Sequence, residues 1–127
     1  MWMVIGMKVT RIYTGSDNES HFEDIEYALE RKGDIIPQDT GLQSASIKVT
    51  SMIFREVKDS YEPVWHTAPC RQFIFVFEGE FEIEIGDGTK RQFGPGSIFL
   101  AEDTKGHGHI TRSVGNQPRK VAFVTLD

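Results

Sequence analysis

The chain has a single cysteine, Cys70, in 127 residues. No internal disulfide can form, and a reducing compartment suits it. It also lacks any block of basic residues. Lys and Arg number 14 against 19 Asp and Glu, for a net charge of −5. A nucleic-acid footprint needs a positive patch, so that class of partner is set aside. No apolar run approaches the roughly 20 residues of a membrane-spanning helix, so no membrane partner is expected. The opening Met1-Trp2-Met3-Val4-Ile5-Gly6 is too short for the apolar part of a secretion signal, and no small-residue cleavage site follows it. Together these absences point to a cytoplasmic protein. Met1, Met3 and Met7 are alternative translation starts, and residues 1–7 read as an extension ahead of the fold. There is no internal repeat and no low-complexity tract.

What is present is strand after strand. A chain of this length is expected to form one domain and to bury roughly two-thirds of its unfolded surface. Glu80-Phe81-Glu82-Ile83-Glu84-Ile85 alternates strictly, as a strand with one buried face does. Gly86-Asp87-Gly88 then supplies the positive-φ residues of a hairpin. Lys8–Tyr13, Ser46–Val57, Thr89–Phe93, Ser97–Ala101, His109–Val114 and Lys120–Leu126 read as further short strands. Phe73-Ile74-Phe75-Val76-Phe77 is apolar on both faces. Ile74 and Val76 suit an interior. Phe73, Phe75 and Phe77 need cover on the other side, from the N-terminal segment or from a second copy in a homodimer. Many short strands with close turn signals indicate a sandwich or barrel. Residues 20–33 support two readings. Ser20-His21-Phe22-Glu23 forms a capping box, with Phe22, Ile25 and Leu29 on one helical face; Ile25, Tyr27 and Leu29 instead give a period-two strand. Residues 34–44, with Pro37 and Gly41, read as a loop.

The stretch Trp65-His66-Thr67-Ala68-Pro69-Cys70-Arg71-Gln72, running on to Gly79, resembles the first motif of the cupin superfamily. That motif runs Gly, five residues, His-x-His, three or four residues, Glu, six residues, Gly. Ser60 stands at the first Gly, His66 at the first His, Ala68 at the second, Gln72 at the Glu and Gly79 at the closing Gly. The second motif fits in two registers. One uses Gly96 and His107, with Glu102, Thr104 and Thr111 at the Pro, Gly and Asn positions. The other uses Gly106 and His109, with Ile98, Thr104 and Ser113 at the remaining positions. The resemblance covers about residue 45 to the C-terminus. It implies an all-β fold, a cupin-type double-stranded β-helix or jelly-roll barrel, and favours the strand reading of 20–33.

The resemblance also implies a divalent metal inside the barrel, held by nitrogen and oxygen ligands. Ala68 cannot ligate, and Gln72 offers only a neutral amide oxygen. His107 and His109 compensate: two apart on a strand, they share a face with Cα atoms roughly 6–7 Å apart. His66, Gln72, His107 and His109 then form a three-imidazole, one-amide set suited to Zn, Ni, Cu or Fe. The alternative leaves His107 in a solvated Gly106-His107-Gly108 turn and the barrel without tight metal. Arg55 would grip a carboxylate or phosphate if it points inward, and otherwise forms a surface ion pair with a neighbouring Glu. Tyr61 and Trp65, near the mouth, would stack on a ring or sugar. Glu102 and Asp103 are candidate general bases. Arg71, of opposite parity to Gln72, faces outward, and Cys70 is read as structural. Two functions stay open: a metal-dependent enzyme acting on a small acid or sugar-like substrate, and a metal-free sensor or carrier of a small molecule. A structural module working through a dimer surface is the third.

Overall fold

The computed structural model describes residues 6–31, 40–58 and 63–127. They form nine strands: β1 (Gly6–Thr14), β2 (Ser20–Ala28), β3 (Ser51–Val57), β4 (Gln72–Glu78), β5 (Glu80–Glu84), β6 (Lys90–Phe93), β7 (Ile98–Glu102), β8 (Ile110–Val114) and β9 (Arg119–Thr125). Among the described residues no helix is long and apolar enough to cross a membrane. Residues 20–28 take the strand form, in register with β1 from Ser20 opposite Thr14 to Ala28 opposite Gly6. Gly6 and Met7 therefore belong to β1, so the extension expected over 1–7 does not include them. Residues 1–5 and 32–39, and with them 34–39 of the expected loop, lie outside the described residues.

The large sheet has the order β2-β1-β7-β4-β9-β3, and the small one β6-β5-β8. A bridge between His66 and His109 adds the segment before β4 to the free edge of β8. From β3 onward the chain supplies four strands to each side. β3, β9, β4 and β7 face the His66 segment, β8, β5 and β6, which is the double Greek key of a jelly roll. β1 and β2 form a hairpin added along β7, with β1 parallel to it.

Period-two alternation fills the interior. Ile74 and Val76 of β4, Phe81 and Ile83 of β5, Phe99 and Ala101 of β7, and Val121 of β9 all enter one buried cluster. The rings of Phe81, Phe93 and Phe99 stand 5.1–5.9 Å apart and close one end of it. The β4–β5 turn needs Gly79 for two reasons: its φ is +79°, and a Cβ there would stand 2.8 Å from the Arg119 Cα. On the outer face of the large sheet a second cluster joins Val9, Phe73 and Leu100, with Ile25, Tyr27 and Phe75 against it. Phe73 is thus covered by its own chain. Phe77 is exposed, and so are Met52, Ile53 and Phe54 on β3, the outermost strand.

Candidate functional site

Between the sheets lies a cavity of about 200 Å³. Arg55, His66, Gln72 and His109 line it, as does Arg119. Strand parity brings them in. Gln72 shares a face with Ile74, Arg55 lies opposite Val121, and Arg119 precedes Val121 by two. Among the described residues no acidic side chain lines this space.

His66 and His109 form a hydrogen-bonded backbone pair, with N···O distances of 2.9 and 2.8 Å and ring centroids 4.5 Å apart. The carbonyl of Val64 accepts from Nδ1 of His66 at 2.9 Å. Asp103, 0% exposed, accepts from Nδ1 of His109 at 2.5 Å and from the hydroxyl of Ser20 at 2.7 Å. Carbonyl and carboxylate oxygens only accept, so each imidazole in its neutral form carries its proton on Nδ1 and leaves Nε2 as an acceptor. Asp103 therefore stands behind His109 and acts through it, outside the cavity lining.

Glu102 points the other way, because alternation along β7 sends Ala101 and Asp103 in and Glu102 out. Its carboxylate accepts from Arg11 Nε at 2.5 Å and from Arg71 Nε at 2.6 Å. Burial pushes the Glu102 carboxyl up, but hydrogen bonds and charge from Arg11 and Arg71 outweigh that and hold it below the usual value. Its acid form is thus the weaker partner in the fold. The stability it contributes is fully present above its ordinary value near 4.5 and is lost as pH falls through the lowered folded value. Glu102→Gln is expected to cost roughly 1–3 kcal/mol at pH 7 and much less at pH 2. Urea titrations at the two pH values check this, and an equal loss at both contradicts it.

His107 is not brought to the cavity. Gly108, at φ +80°, breaks the pleat that would put His107 and His109 on one face, and β8 starts only at Ile110. A Cβ on Gly108 would overlap the carbonyl of His66, so the close approach needs glycine. His107 instead stacks on Trp65, with centroids 4.1 Å apart, and Nδ1 meets Glu19 at 2.8 Å. Trp65 is thereby held at the surface, away from the cavity lining. Tyr61 and Ser60 lie outside the described residues. Arg71 faces outward, and Cys70 is a half-buried free thiol.

Arg119 is the residue the sequence reading missed. It is 8% exposed, its guanidinium lies over the Phe81 ring at 4.9 Å, and its Nη1 is buried with no hydrogen-bond partner among the described residues. The inward alternation Val121, Phe123, extended back two residues, is the signal that points to it.

This donor set does not fit a divalent metal. Among the described residues no three His, Cys, Asp or Glu groups are placed to hold one. Among the described residues two imidazoles and an amide remain, with no anionic ligand, beside two guanidinium cations that would repel a metal ion.

No protein-family model and no curated protein matches the chain. Solved structures that resemble it include a protein from Neisseria meningitidis at 18% identity, covering 60% of this chain and 72% of that one, with a TM-score of 0.46. A Salmonella typhimurium protein named for ethanolamine utilization (EutQ) aligns at 13% identity over 95% of this chain and 96% of its own, with a TM-score of 0.46. The cupin domain of Schizosaccharomyces pombe Cnp3 aligns at 9% identity over 99% and 86%, with a TM-score of 0.48. These scores carry no weight beside the strand connectivity, which stands on its own. On that connectivity, with the motif spacing from His66 to Gly79, the chain is a cupin-fold protein.

Proposed function

We propose that the barrel binds a small organic acid, its carboxylate held by Arg119 and Arg55. The observation that carries this reading is the buried Nη1 of Arg119, unpartnered among the described residues, in a cavity to which those residues contribute no acidic side chain. A buried cation is normally paired, and a bound carboxylate would pair this one. Arg55 likewise has no side-chain partner among the described residues. The same features support the metal-free ligand-binding function over the metal-dependent one. Chemically, the site supplies a cationic grip and, on His109, a proton acceptor held in place by Asp103. Calorimetric titration with short carboxylic acids tests it. Wild type is expected to bind at least tenfold more tightly than Arg119→Met, the loss expected for one charge-assisted hydrogen bond. Equal binding by the two proteins sinks the proposal.

We also propose a homodimer through β3. Met52 and Phe54 are 60% and 71% exposed on the outermost strand of the large sheet, rimmed by Glu56–Lys120 and Glu78–Lys120 ion pairs at 3.7 and 3.6 Å. An apolar patch with a polar rim suits an interface. A strand pairing antiparallel with its own copy is self-complementary about a two-fold axis. Light scattering is expected to give twice the chain mass for wild type and one chain mass for Phe54→Asp. A monomeric wild type ends the idea.

A further inference from the structure

The cavity has two chemically different ends, and the strand ladder separates them. Gln72 pairs with Ala101, and Asp103, two residues further along, hydrogen-bonds His109; this is the imidazole end. Arg55 pairs with Val121, which pairs with Val76, four residues along β4 from Gln72. Those four residues span about 13 Å. Arg119 lies two residues beyond Val121 and reaches the Phe81 ring on the facing sheet. Between the two ends runs an apolar rung, Ile74 flanked by Phe99 and Phe123. Each end therefore recognises a different group, and the rung accepts only hydrocarbon.

The imidazole end asks for a donor. Both Nδ1 atoms are committed to Val64 and Asp103, so each neutral ring offers a lone pair on Nε2. A hydroxyl satisfies that lone pair, whereas a second carboxylate sets lone pair against lone pair. Size narrows the choice further. A cavity of 150 Å³ holds benzene, so one of about 200 Å³ takes about eight non-hydrogen atoms.

Resting on the small-acid reading, we infer that the ligand class is a short hydroxy acid with its hydroxyl remote from the carboxylate. The carboxylate sits at the arginine end, the methylene chain lies along the Ile74 rung, and the hydroxyl donates to a histidine Nε2. An unsubstituted acid offers the Nε2 lone pairs no donor of its own and leaves them to the Gln72 amide or, at the exposed His66, to water. A very short hydroxy acid cannot reach both ends, and a long one does not fit.

Calorimetry on the full chain at pH 8, where an ordinary imidazole is neutral, tests this. The probes are ω-hydroxy acids of two to six carbons, the unsubstituted acids of the same lengths and the matching dicarboxylates. Affinity is expected to peak at four or five carbons, with the hydroxy acid at least tenfold tighter than its unsubstituted counterpart. In His66→Phe or in His109→Phe that advantage is expected to fall below threefold, and a tenfold advantage kept by both variants overturns the inference. Wild-type protein binding unsubstituted acids or dicarboxylates as tightly as hydroxy acids overturns the inference, whatever the variants do, and leaves the acid-binding proposal standing. Failure of every acid to bind overturns both.

Discussion

Arg119→Met is expected to make the protein more stable while removing its capacity for acids. A guanidinium that is 8% exposed and has no carboxylate partner among the described residues carries a desolvation cost of several kcal/mol. Its orphaned Nη1 forfeits hydrogen bonds that water would supply. Against this stands the contact with the Phe81 ring, worth about 1–2 kcal/mol in a desolvated setting. The cost is larger, so methionine, which fills similar space without charge, is expected to stabilise the empty protein by about 1–3 kcal/mol. At this chain length that raises the melting temperature by roughly 3–10 °C. Differential scanning calorimetry without added acid reads the effect directly. If Arg119→Met melts lower than wild type by more than a few degrees, Arg119 is a structural residue and the site reading loses its main support. Stability surrendered at a buried, unpaired charge is expected of a binding residue.

Asp103→Ala is expected to produce the largest loss of stability, about 3–5 kcal/mol. The substitution orphans two donors at once, the Ser20 hydroxyl and His109 Nδ1, where both are sealed from water. It also leaves a void that water would have to enter to satisfy them. Since a domain of this size is stable by only about 5–15 kcal/mol, the variant is expected to lose a large share of its stability. Asp103→Asn keeps the volume and one acceptor, so its loss is expected to be about half as large. Urea denaturation of the two variants checks both numbers. A loss under 1 kcal/mol for alanine means that the Ser20–Asp103–His109 chain does not hold this end of the barrel. With Asn in place, His109 is no longer tied to one tautomer, and any preference for hydroxyl-bearing acids is expected to weaken.

Much of this architecture is legible in the residues themselves. The alternation in 80–85 marks Phe81 and Ile83 as interior, and both are. Ile74 and Val76 point inward against Phe73, Phe75 and Phe77, as their order implies. The motif spacing places His66 and Gln72 on one cavity together with His109. The departures come where a backbone conformation or a distant partner intervenes. His107 and His109 share a face only if the strand is continuous, and Gly108 interrupts it. Asp103 and Glu102, read as two equivalent bases, differ completely because adjacent strand residues point to opposite sides. Glu102 then meets Arg11, 91 positions away, while Asp103 meets Ser20, 83 positions away. Arg119 was overlooked because its strand was read as starting one residue later.

Within each unbroken strand the alternation of inward and outward side chains was determined by the sequence alone, because in an extended chain it follows from local backbone geometry with period two. Which charges meet was decided only by the tertiary structure. The arginine and histidine ends of the cavity depend on how two sheets face each other and in what register. Register is set by the packing of the whole core, and no local pattern encodes it.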